Sequence, residues 1–299
     1  MLPRTVDSLY LDSIDVENST CAPVLCVHGL FAGAWAFERF LPLIAGRGYP
    51  ATALSFRGHP PNSPDKGIGR LKVTDYARDA ATVAERLGRP IVIGHSLGGL
   101  VALMMAARNR VRAAVLIAPA PPRGITVLSP GLLMRMTTYV PAMILSRPFL
   151  PSASHLDALV LNRMPEQDRP VTRSRFVADS GRAARQITLG VYKIPSRAVR
   201  VPLLVVGAEL DRFIPVRVAE RIARKYDGTF HVARGHGHFL LGEPGWEQQA
   251  KTILDWIDAL PRIIREVAGE VSVRSPLTNL PRAARIDSGD VHRPAHEGT

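Results

Sequence analysis

The sequence predicts an α/β fold, a mostly parallel central sheet flanked by helices, with a helical cap inserted into it. Short apolar runs rich in β-branched residues alternate with stretches of helical periodicity, the pattern left by strands buried on both faces and by the helices that cover them. The alternation breaks once, after Ala120, and resumes near residue 196. The stretch between is too long and too apolar for a simple loop. It carries eight prolines between 121 and 170, with short apolar helical patches at 132–136 and 156–161.

Parallel strands are expected at 23–27, 51–56, 91–93, 113–117, 203–206 and 229–232, where apolar and β-branched residues dominate. Helices fall between them at 36–47, 74–87, 97–109, 216–226 and 246–260. Residues 9–16 read as a strand joining the sheet edge in antiparallel fashion. The chain thus divides into a core of 1–120 and 196–260, a cap or lid of 121–195 and a C-terminal extension of 261–299. That extension turns into Arg, Pro, Ser and Gly with little periodicity, so its part beyond about residue 273 is expected to be disordered or loosely attached.

With 299 residues the chain is long enough to bury roughly three quarters of its unfolded surface. Hydrophobic residues make up 46% and charged residues 21%, values of a globular rather than a disordered protein. The net charge of +12 is almost wholly arginine, since five of the 38 basic residues are lysine. Residues 121–200 hold twelve Lys/Arg against four Asp/Glu, an excess of eight that is two thirds of the net +12. Such a cap can attract an anionic substrate or touch an anionic membrane surface peripherally, with solvated surface charge as the plain alternative. No recognition helix, zinc finger or aromatic-plus-basic pattern accompanies it, which argues against nucleic acid.

Cys21 and Cys26 lie five apart on one expected strand, pointing to opposite faces and unable to pair easily. Without a disulfide framework or a signal peptide in the opening residues, a cytoplasmic location is expected. The longest apolar stretch, 90–107, contains His95, Ser96 and three glycines and reads as strand, turn and helix, not as a membrane span.

Gly94-His95-Ser96-Leu97-Gly98 follows the strand at 91–93 and opens an apolar helix, the context in which G-x-S-x-G carries chemistry. A sharp strand-to-helix turn strains the serine backbone, and residues without bulk two positions either side let strand and helix approach. The Ser96 hydroxyl then projects beyond the strand end. The Leu97 amide, at the helix N-terminus, is aimed at a developing oxyanion. The plain alternative is a small-residue turn with an incidental serine. A neutral hydroxyl is a poor nucleophile and needs a base, usually a histidine; nine compete.

With these motifs the chain resembles the α/β-hydrolase superfamily over about residues 5 to 260, as a serine esterase or lipase-like member with an inserted cap. The resemblance implies a second oxyanion donor in His28-Gly29-Leu30-Phe31, the Leu30 amide, with Phe31 as fallback and His28 bracing the loop. It implies the chain order nucleophile, acid, base. Gly237-His238-Phe239-Leu240-Leu241 is similar to the family's histidine loop, which favours His238 as base over the runner-up His236; His231 lies inside a strand pattern. Asp211, after the strand and Gly207 and before Pro215, is similarly placed to orient the base, with Glu209 a minor rival. Arg57-Gly58-His59 looks like a structural loop of the family.

Phe31, His95, Met136, Tyr139 and Met143 are the expected substrate-binding residues. The last three share an apolar patch with Met134, Ile144 and Leu145 that either lines a pocket or glues cap to core. The resemblance implies hydrolysis of a small hydrophobic carboxylic ester through an acyl-enzyme, with no cofactor and no metal. Thioester cleavage, carbon–carbon bond hydrolysis, lyase chemistry and acyl transfer use the same triad and stay open. Epoxide hydrolases and dehalogenases of this fold carry aspartate at the elbow, so Ser96 argues against them. A non-catalytic ligand receptor is disfavoured, because every catalytic position holds a competent residue.

Overall fold

A computed structural model describes residues 1–127 and 134–266. Its sheet comprises β1 (Leu2–Val6), β2 (Leu9–Ile14), β3 (Val24–Val27), β4 (Ala51–Leu54), β5 (Ile91–His95), β6 (Ala114–Ile117), β7 (Leu203–Ala208) and β8 (Thr229–Ala233). The strands lie in the order β1-β2-β4-β3-β5-β6-β7-β8. Strands β1 and β2 pair antiparallel with each other and β2 with β4, while every pair from β4 to β8 is parallel.

The interior strands sort alternate side chains into two cores, as a pleat covered on both faces requires. Leu25, Val27, Val92, Leu116 and Val205 join one core; Val24, Cys26, Ile93, Val115 and Val206 join the other. Helices α2 (Val73–Arg86) and α3 (Leu97–Ala107) close the first face, together with the helix Val216–Lys225. The second face is closed by α1 (Phe40–Gly46) and the helix Trp246–Asp258.

Three expectations are corrected. The edge strand is β1, not the segment at 9–16, which lies one place inside. Asp7 and Ser8 take φ of 45° and 68°, making the two-residue hairpin turn that joins β1 to β2. Pro3 sits on the outer strand, where a missing N–H costs no ladder bond. The helix expected at 36–47 splits into a turn at Ala34–Phe37 and a helix at Phe40–Gly46. Pro42 explains the break: it is tolerated in a first turn but its ring would clash with a helix running back through residue 38. Cys21 lies outside β3 at an isolated bridge to Glu266, and both cysteines are free.

Between β6 and β7 the chain forms an insert rather than a covering helix. Its described part includes the helices Val140–Ile144 and Gly181–Thr188, a helical turn at Leu156–Val160, and two short antiparallel strands, Pro148–Phe149 and Asp179–Ser180. The patch expected at 132–136 lies partly outside the described residues, and the tail beyond 266 wholly so. Among the described residues, no helix is long and apolar enough to cross a membrane.

Candidate active site

The sheet brings the loops that matter to one edge. Val27 of β3 pairs with Gly94 of β5, so the loops at 28–31 and 96–97 leave the sheet side by side. Further along, β7 and β8 pair from Leu204 with Thr229 to Ala208 with Ala233, which sets the loops carrying Asp211 and His238 next to each other.

Ser96 takes φ 53° and ψ −116°, a conformation that bulky residues rarely hold, immediately before α3. The turn survives because its flanks lack side chains. A Cβ on Gly94 would lie 2.1 Å from the Gly98 oxygen, and one on Gly98 would lie 2.0 Å from the Val27 oxygen. The Ser96 amide donates to the Ile117 carbonyl at 2.9 Å, which locks the turn to β6. As first residue of α3, Leu97 has no carbonyl one turn back within the helix for its N–H.

His238 Nδ1 donates to Asp211 Oδ2 at 2.8 Å, and both side chains are buried. The other carboxylate oxygen accepts the amides of Phe213 at 2.8 Å and Ile214 at 2.7 Å, so the carboxylate cannot swing away. His95 grips the same loop, its Nε2 donating to the His238 carbonyl at 2.9 Å. Burial, reinforced by the neighbouring His238, pushes His95 down to about 3, so that ring is neutral. Its Nδ1 has no hydrogen-bond partner among the described residues.

The rival residues are engaged elsewhere. His236 Nδ1 faces Glu243 Oε2 at 3.3 Å, and His231 Nε2 faces Gln249 Oε1 at 3.1 Å. Glu209 accepts the Gly235 amide at 2.8 Å. In the loop after β3, His28 Nδ1 donates to the Gly29 carbonyl at 2.7 Å while Nε2 accepts the Phe56 amide at 3.1 Å. Burial pushes His28 down to about 3, consistent with a neutral bracing ring. The fallback donor is corrected here: the Phe31 amide is already committed to Asp179 Oδ2 at 2.8 Å.

Residues 24–248 match the alpha/beta hydrolase family. The chain belongs to that family. It is 26% identical over 279 residues to a pyrethroid hydrolase of Sphingobium wenxiniae, covering 86% of this chain and 95% of that protein. It is 28% identical to a monoacylglycerol lipase of Mycolicibacterium smegmatis over 78% of this chain and 87% of the relative. Among solved structures, a thermophilic esterase from Thermogutta terrifontis superposes with a TM-score of 0.63 at 20% identity, covering 86% of this chain and 97% of that one.

In this α/β hydrolase Ser96 and His238 line one cavity together with Leu30, Phe31 and His95. Met136, Tyr139 and Met143 line it from the insert. Met134, Ile144 and Leu145 do not: they are 76, 61 and 57% exposed. Sequence reasoning missed Phe149, Leu156, Leu159 and Phe176 of the insert and Phe213 of the core. No Asp, Glu, Lys or Arg side chain lines the cavity among the described residues. Among the described residues, its polar side chains beyond His95, Ser96 and His238 are Tyr139, His155 and Thr188. Two of these are mutually satisfied, Tyr139 Oη lying 2.6 Å from His155 Nδ1. Among the described residues no group of three or more His, Cys, Asp or Glu is arranged to hold a metal ion.

Proposed function

We propose that this α/β hydrolase cleaves small carboxylic esters with an apolar acyl group, using Ser96 as nucleophile, His238 as base and Asp211 as the group that orients the base. The Ser96 oxygen attacks the ester carbonyl as His238 Nε2 takes its proton. The amides of Leu97 and Leu30 receive the developing oxyanion. His238 returns the proton to the departing alcohol, leaving an acyl-enzyme, and then activates the water that releases the acid. Residues 121–195 act as a cap over the cavity, with 1–120 and 196–260 as core. The observation that carries the substrate class is a cavity without a charged side chain among the described residues, opening on Ser96. The names of the relatives, a pyrethroid hydrolase and a monoacylglycerol lipase, support the reaction class.

An apolar wall rewards each buried methylene with about 0.8 kcal/mol, about fourfold in kcat/KM. Rates on p-nitrophenyl esters are therefore expected to climb by about that factor per carbon until the cavity is full. The same acyl groups on coenzyme A, whose phosphates find no cation among the described residues of the cavity, should react more slowly. A flat chain-length profile, or faster cleavage of the thioesters, would sink this reading.

The insert's outer face meets an anionic lipid surface. Arg182, Arg185 and Leu189 recur at a spacing that shares one helical side, and Arg185 reaches the carbonyls of Met143 and Ile144 at 3.0 and 2.6 Å. That contact puts the exposed Ile144 and the adjoining Leu145 beside Arg185. Co-sedimentation with phosphatidylglycerol vesicles, absent with phosphatidylcholine alone and weakened by Ile144→Ser with Leu145→Ser, is the expected result. Equal behaviour toward both vesicles would dismiss it.

A further inference from the structure

A second buried polar cluster lies where the insert meets the loop at 28–31. Asp179, His59 and Tyr76 are each 0% exposed. The Asp179 carboxylate meets only donors: Oδ2 accepts from the Phe31 amide at 2.8 Å and from His59 Nε2 at 2.9 Å. Oδ1 accepts from the Tyr76 hydroxyl at 2.5 Å and the Ser180 amide at 2.6 Å. His59, in turn, meets only acceptors, since its Nδ1 lies 3.1 Å from the Arg57 carbonyl, and both ring nitrogens carry protons. Burial alone would push His59 down, but the Asp179 charge and its hydrogen bond outweigh that and raise it. Burial alone would raise Asp179; His59 and the surrounding donors hold it down at about 2. A closed ion pair thus bridges insert and core.

The pair ends on a strained residue. Phe31 takes φ 69°, which an aromatic residue holds only when its surroundings impose it. The insert grips it on both sides: the Phe31 amide donates to Asp179, and the Phe31 carbonyl accepts the Val177 amide at 2.8 Å. On the near side His28 holds the Gly29 carbonyl. The Leu30 N–H shares a peptide plane with that carbonyl, and the plane that follows it carries the Phe31 amide. We propose that Asp179 is a positioning residue which, through the Phe31 amide, holds the peptide plane that follows the Leu30 N–H, so that the oxyanion site His28 braces from the core is completed by the insert. This rests on Leu30 being an oxyanion donor, as proposed above. An ionised acceptor suits the task because its hydrogen bonds are stronger than those of a neutral one.

Asp179→Asn offers one oxygen where four donors need two, and so loosens the grip at constant volume. Three variants, Asp179→Asn, His59→Gln and Tyr76→Phe, are measured on one p-nitrophenyl ester and against a trifluoromethyl ketone, which forms a tetrahedral oxyanion on the serine. Tyr76→Phe removes one hydroxyl and keeps the ion pair, so the series is informative even where a charge variant does not fold. For Asp179→Asn, kcat is expected to fall by about ten- to a hundredfold, short of the hundred- to thousandfold cost of deleting a donor. KM should stay within about twofold, and ketone affinity should fall by the same factor as kcat/KM. Tyr76→Phe should lie on the same line with a smaller loss. Unchanged rates in the variants that fold, a loss carried by KM, or a rate loss without matching loss of ketone affinity would each overturn the inference while leaving the serine reading intact. A wild-type enzyme insensitive to the ketone and unlabelled by a fluorophosphonate would instead overturn the reading on which it rests.

Discussion

Alanine at position 96 will lower kcat on any ester substrate by about a millionfold, with fluorophosphonate labelling lost and the fold retained. The size follows from the absence of a substitute. Among the described residues the other hydroxyls of the cavity are Tyr139, which lies 2.6 Å from His155 Nδ1, and Thr188, which donates to the Ala184 carbonyl at 2.9 Å. Both hydroxyls are engaged by those partners. Retention of the fold follows because the turn is set by Gly94, Gly98 and the Ser96 amide, none of which the substitution touches. A variant that still takes the label, or that loses less than about tenfold in kcat, would remove Ser96 from its role.

What could be read from the chain beforehand was whatever is encoded by neighbours. Runs such as Ile91-Val92-Ile93 announce a strand buried on both faces, and their alternate side chains do divide between the two cores. The elbow was legible for the same reason, since Gly94, Ser96 and Gly98 must solve one steric problem within five residues. The hairpin at Asp7-Ser8 escaped because its φ values belong to turns usually marked by Asn-Gly.

The insert shows both limits. Met136, Tyr139 and Met143 recur at three and four residues, one helical side, whereas Met134, Ile144 and Leu145 fall off that side; periodicity alone would have separated the lining residues from the exposed ones. Asp179 had no such signal. It is 148 residues from Phe31 and 120 from His59, and nothing near it in sequence distinguishes it from a surface carboxylate. Its partners exist only once the insert has folded back onto the core.

Asparagine at Asp211 will cost about ten-thousandfold in kcat without removing any atom that touches substrate. The amides of Phe213 and Ile214 both need the acceptor they now find in Oδ1, so an asparagine there keeps its oxygen on them and turns its NH2 toward His238. His238 Nδ1, which now donates to Oδ2 at 2.8 Å, must then become an acceptor. The proton moves to Nε2, the nitrogen proposed to receive the Ser96 proton, and the base is blocked by its own tautomer. His238→Ala removes the base altogether and should approach the loss seen at Ser96. His236→Ala is the control. It withdraws the ring beside Glu243, a buried carboxylate that keeps the Gly237 amide at 2.7 Å, so it should lower stability by about 1–3 kcal/mol and leave kcat within about tenfold. Steady-state kinetics on the three variants, with thermal melting beside them, separates the cases. Near-complete loss of turnover in a folded His236→Ala, with activity surviving in His238→Ala, would exchange the two histidines.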